Sequence, residues 1–143
     1  MIFDFDKQYA DEWKKLGFYY DLNHDAHCWR LSGSKNGLIN FCDLLSKYVH
    51  NPMHSGISEH EHYGPDSYLK VVTWYFPTIT KDGIYGSLQD IQKLETLIRS
   101  KLLMAGIEGE IHINQDYSDK NEYYLTIKVM SDGFDPSKPD ETP

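Results

Sequence analysis

The apolar positions change period several times along the chain, and each change predicts an element. From Asp4 to Leu16, the residues Phe5, Tyr9, Trp13 and Leu16 fall on one stripe with polar residues between them. That is the spacing of an amphipathic helix, ended by Gly17. Phe18, Tyr20 and Leu22 then share one face of an alternating run, and alternation resumes from Cys28 to Ser32 with Trp29 and Leu31 inward. Asn23-His24-Asp25 reads as the turn, so the two runs predict a hairpin. Ser34 can cap a second helix, whose apolar face is Leu38, Phe41, Leu44, Leu45 and Tyr48 and which Asn51-Pro52 stops.

A polar stretch from His50 to Asp66 follows, then a β-rich run from Tyr68 to Phe76, a turn over Thr78 to Gly83 and a short strand at Ile84-Tyr85. Ser87 with Asp90 three residues on predicts a capping box and a third helix, buried through Ile91, Leu94, Leu97, Ile98 and Leu102 and ended by Gly106. Glu110 to Asn114 and Tyr123 to Met130 are the last predicted strands. Residues 1–130 read as one α+β domain. Residues 131–143, with Pro136, Pro139, Pro143 and four acidic residues, read as a flexible tail.

One internal match refines the fold class. Leu31-Ser32-Gly33-Ser34 aligns with Ile84-Tyr85-Gly86-Ser87, and the same shift superposes Leu38 on Ile91, Phe41 on Leu94, Leu44 on Leu97, Leu45 on Ile98 and Val49 on Leu102. Two amphipathic helices would share the apolar positions by chance, but not the preceding Gly-Ser. A β-α-β unit used twice predicts a two-layer sandwich with a ferredoxin-like core and a mainly antiparallel sheet. An N-terminal helix and flanking strands are added to it. The two repeated helices should cover one sheet face and leave the other open.

Composition narrows the function. The 143 residues carry a net charge of −8, which argues against nucleic acid and anionic membrane as partners, since both require clustered Lys and Arg. The 11 tyrosines exceed what a core needs and predict ring faces on a contact surface. Met1-Ile2-Phe3-Asp4-Phe5-Asp6 has no basic segment followed by an apolar stretch, so no secretory signal is read there. Cys28 and Cys42 are then expected as reduced, buried thiols of a cytoplasmic protein.

The polar stretch holds the candidate chemistry, because a connection this long in a small domain is usually functional or disordered. It contains His50 and His54, then Ser58-Glu59-His60-Glu61-His62-Tyr63-Gly64-Pro65. On one reading His60 and His62 ligate a transition metal, with Glu59 or Glu61 third and His24 or His27 fourth. The expectation that an extended His-x-His pair directs its rings to opposite sides weakens that reading. So does the lack of a His-Glu-x-x-His or paired-Cys pattern. On another, the same side chains brace the domain through hydrogen bonds. His24-Asp25-Ala26-His27 suits turn chemistry better than ligation.

Acid–base work by Glu59, Glu61 and their histidines is open, but nothing identifies a substrate pocket. No Gly-x-Ser-x-Gly elbow or phosphate-cradling loop is present, so no catalytic residue is assigned. Tyr63, Tyr68, Trp74, Tyr75, Tyr123 and Tyr124 lie on or beside predicted strands, where alternation puts some of them on the open face.

Ser58 to Pro65, then Tyr68-Leu69, Thr73-Trp74, Gly83-Ile84-Tyr85-Gly86-Ser87 and Asp90-Ile91, resembles a family of small bacterial cytoplasmic proteins. Some of its members are described as probable immunity proteins of toxin systems. The resemblance implies a bacterial source and a binding role, and supplies no catalytic residue. The expectation is a non-enzymatic protein-binding domain that masks a basic toxin or effector. Its partner-binding set is Glu59, His60, Glu61, His62, Tyr63, Trp74 and Tyr75, with no cofactor. The rivals are a metal- or small-molecule-binding loop centred on His60, Glu61 and His62, and a purely structural loop. An exposed sheet edge or face could also pair two copies in a homodimer.

Overall fold

The computed structural model describes residues 4–66 and 68–140. The first three residues of the opening, Ser67 just after the polar stretch and the last three residues of the tail lie outside them. Helix α1 (Phe5–Leu16) starts at Asp4, whose side chain accepts from the Lys7 amide at 3.0 Å, and ends at Gly17 with φ +90°. Strands β1 (Phe18–Asn23) and β2 (Cys28–Ser34) form the expected hairpin, with Leu22 opposite Trp29 and Tyr20 opposite Leu31. Helix α2 (Lys35–His50) is capped by Ser34 Oγ, which accepts from the Gly37 amide at 3.2 Å. A Cβ on Gly37 would stand 1.9 Å from the Gly17 carbonyl oxygen, so α2 seats against the end of α1 only with a glycine there.

The polar stretch is more ordered than expected. After a 3-10 turn at Pro52–His54 it forms strand β3 (His60–Tyr63), paired antiparallel with β4 (Leu69–Thr73). The segment expected as a turn likewise contains a strand, β5 (Thr78–Thr80), which pairs with β6 (Gly83–Gly86). Helix α3 (Leu88–Met104) carries the full capping box of Ser87 and Asp90. It leads to β7 (Glu110–Ile113) and β8 (Tyr124–Met130), again antiparallel.

The class is the α+β sandwich expected, but the strands form two mixed four-stranded sheets rather than one ferredoxin-like sheet. Their orders are β1-β2-β8-β7 and β3-β4-β6-β5. Each of α2 and α3 has an antiparallel strand pair before it and another after it, and these pairs go to different sheets. Each sheet is joined at its centre by one parallel pairing, β2 with β8 or β4 with β6. Such pairings between strands far apart in sequence leave no local trace.

The predicted helix faces are buried: Leu38, Phe41, Leu45 and Tyr48 from α2, Ile91, Leu94, Ile98 and Leu102 from α3. They meet Leu31, Val71, Ile84, Ile113 and Ile127 from the inner faces of the sheets in one core. The α1 stripe holds only in part. Trp13 is buried, while Phe5 and Tyr9 are exposed. The segment after β8 is not loose throughout, because Phe134 and Pro136 are buried.

Candidate functional site

Strand β3 lies at a sheet edge, and its two sides have different surroundings. Residues i and i+2 of a strand share a face, so Glu61 and Tyr63 form one side and His60 and His62 the other. This corrects the expectation that the two histidine rings point to opposite sides. Their centroids are 5.1 Å apart, edge to face.

The side holding Glu61 and Tyr63 faces α2 and is pinned there. The 3-10 turn buries His54, whose ring stacks on Tyr48 with centroids 3.9 Å apart. His54 Nδ1 lies 2.9 Å from the Tyr48 carbonyl, which can only accept, so that nitrogen carries the hydrogen. Nε2 lies 3.1 Å from Glu61 Oε1. The Tyr48 hydroxyl sits 2.8 Å from the Glu59 carbonyl and 2.7 Å from Thr73 Oγ1, and Thr73 donates to the His54 carbonyl at 2.6 Å. Burial pushes the Tyr63 phenol above its usual range, so it stays neutral there. Glu59 takes part through its main chain.

The other side belongs to the helix-free face. Register sets His60 opposite Val72 and His62 opposite Lys70, and Val72 beside Tyr85 on β6. Trp74, held by its amide to the Gly86 carbonyl at 2.8 Å, continues that side and meets Tyr85 edge to face at 6.2 Å. Tyr75, 73% exposed, packs on Trp74 at 5.2 Å. Lys120 lies 5.0 Å over the Phe76 ring. Trp74, Phe76, Tyr85 and Tyr123 line an open groove of about 870 Å³, with Lys81, Lys120, Asp82 and Glu122 among its charged residues. His27 stacks on Tyr123 at 4.9 Å, and His24 Nδ1 lies 3.1 Å from the Tyr123 hydroxyl.

A second hollow, of about 510 Å³, meets the groove at Lys81 and Asp82, which line both. Trp13, Tyr20 and Trp29 are its buried residues, and Tyr9, Tyr19 and Tyr68 stand around them. Trp29 Nε1 donates to the Thr80 carbonyl at 2.8 Å, tying the two sheets together. The Tyr20 hydroxyl donates to the Tyr63 carbonyl, and a Cβ on Gly64 would stand 2.6 Å from the Tyr20 ring. The end of β3 is thus seated against this hollow.

Of the expected partner-binding residues, the structure brings His60, His62, Trp74 and Tyr75 to the outer side, turns Tyr63 inward, and holds the half-exposed Glu61 against His54. Among the described residues no group of three or more His, Cys, Asp or Glu is placed to hold a metal. His24 and His27 lie at the β1–β2 turn, against Tyr123. Burial raises the Cys42 thiol to about 11, which makes it a poor nucleophile. Among the described residues no helix is long and apolar enough to cross a membrane. The sequence reading missed Tyr9 and Tyr19 as groups at this hollow, although the tyrosine excess was their signal, and it missed Asp66, for which no signal stood out. No family model, curated protein or solved structure matches the chain.

Proposed function

We propose that this chain is a non-enzymatic bacterial protein-binding domain of the immunity type, acting in the cytoplasm to mask a basic toxin or effector. The observation that carries the reading is the aromatic groove on the helix-free face. Trp74, Tyr75, Phe76 and Tyr85 gather there with carboxylates close by, and Tyr75 and Phe76 are exposed. Rigid aromatic area loses little entropy on binding, and although the groove's own lining balances Lys81 and Lys120 against Asp82 and Glu122, the acidic chain as a whole steers a basic partner. The net charge of −8 and the resemblance around Ser58 to Pro65 support the same reading. The contact of Glu61 with His54, the main-chain role of Glu59 and the burial of Tyr63 favour bracing for those three, so the binding set is narrowed to His60, His62, Trp74 and Tyr75.

The test is coexpression with the basic protein encoded by a neighbouring gene. Copurification is expected, and Trp74→Ala with Tyr75→Ala should weaken the complex by at least about tenfold while the circular dichroism spectrum is unchanged. Unaltered affinity in that folded double variant refutes the proposed surface.

A further inference from the structure

We propose that the hollow built on Trp13, Tyr20 and Trp29 is a guanidinium receptor whose occupant is an arginine side chain of the partner. The source of the arginine rests on the function proposed above; the chemistry of the hollow does not.

The rings form a connected set. Trp13 lies 4.9 Å from Tyr19, 5.1 Å from Tyr20 and 6.2 Å from Tyr9, and Tyr20 lies 5.9 Å from Trp29. Three of their polar groups are engaged within the protein. Tyr20 donates to the Tyr63 carbonyl, Trp29 to the Thr80 carbonyl, and Tyr9 to Asp66 at 2.8 Å. The ring faces open to a ligand are those of Tyr9, Tyr19 and Tyr68, which stand over the buried Trp13, Tyr20 and Trp29, so the wall offers mainly carbon surface and π density.

The charge of the lining selects the sign of the ligand. Three carboxylates, Asp21, Asp66 and Asp82, face one ammonium, Lys81, with His24 the other titratable cation-former. Asp21 is already held by Arg30 through two contacts of 2.9 Å. Among the described residues Asp66 and Asp82 take part in no ion pair, so two carboxylates stand beside an aromatic wall without a cation of their own. An anion is disfavoured there, and a neutral apolar ligand leaves the carboxylates unused. A guanidinium fits both features, because it is planar, weakly hydrated, stacks on aromatic faces and pairs with carboxylates through its edge. A volume of about 510 Å³ admits the group and its three-carbon stem.

The experiment is calorimetric titration of the full chain with N-acetyl-arginine amide, its neutral citrulline counterpart, and agmatine. Saturable binding of the arginine compound is expected, with the citrulline compound at least about tenfold weaker. Asp66→Asn and Tyr68→Ala, both at exposed positions, should each weaken it about threefold or more without altering the fold. Equal binding of citrulline, no binding to the folded protein, or indifference to both substitutions overturns the receptor. Agmatine binding tenfold tighter than the capped residue overturns the assignment to a protein side chain. Failure of these titrations while the partner still binds overturns this inference alone. Loss of the partner with arginine binding intact refutes only the function proposed above.

Discussion

Strands β3 and β7 hold corresponding places and are secured in different ways. Each follows a long helix, is four residues long, lies at a sheet edge and pairs antiparallel with the next strand. β7 reaches its sheet through residues 105–109 and turns Ile111 and Ile113 into the core. β3 is reached through residues 51–59 and turns Tyr63 inward and the half-exposed Glu61 to His54, while Tyr48 bonds the Glu59 carbonyl and Thr73, and Thr73 bonds the His54 carbonyl. An edge strand can therefore be fixed by apolar burial or by directed hydrogen bonds. The second way needs extra chain to bring the partners in, which is what the longer connection supplies. It also leaves His60 and His62 exposed on the outer side of β3.

Substitutions can break or sharpen that contrast. The largest effect is expected on the apolar edge. Ile113→Ala removes a fully buried side chain and should cost about 2 to 4 kcal/mol in urea unfolding. On the polar edge, Tyr48→Phe strips a buried hydroxyl from Glu59 and Thr73 and should cost about 1 to 3 kcal/mol. If Ile113→Ala proves the milder of the two, the difference between the edges has been misjudged.

Tyr63 gives a smaller effect that depends on pH. Burial raises its phenol above the usual 10.0, so the folded chain keeps a proton that the unfolded chain releases. Its contribution is intact below pH 10 and lost as the pH climbs beyond it. Tyr63→Phe should therefore flatten the alkaline fall in stability. β7, with isoleucines in the inward positions, has no such group. Unchanged curvature above pH 10 in Tyr63→Phe would place the alkaline sensitivity elsewhere.

The smallest change in stability belongs to the outer side of β3. His60→Ala with His62→Ala should shift unfolding by less than about 0.5 kcal/mol, since both rings are exposed. The same double variant should weaken partner binding if the surface proposed above is correct. A large loss of stability instead would make the outer side part of the brace.

Helix ends and faces were readable because they depend on neighbours within four residues. Ser34 and Ser87 act as the caps they resemble, and the apolar spacings of α2 and α3 are the faces they bury. The β1–β2 hairpin follows from alternation on either side of a turn. β3 was hidden because His60-Glu61-His62 carries no apolar alternation, its inward positions being a carboxylate and a tyrosine. The hollow at Trp13 was hidden because its residues come from α1, β1, β2, Asp66, Tyr68 and the turn at Lys81 and Asp82.

Periodicity and capping in the chain were enough to set the three helices, the buried sides of α2 and α3 and most strands, because those choices are settled over a few residues. The three-dimensional packing alone decided that successive strand pairs go to different sheets, with β2 against β8 and β4 against β6. It also decided which side of β3 meets His54, and that Asp66 and Asp82 come to one aromatic wall. Those outcomes join residues that lie from one loop to most of the chain apart, beyond the few positions over which a pattern of polarity acts.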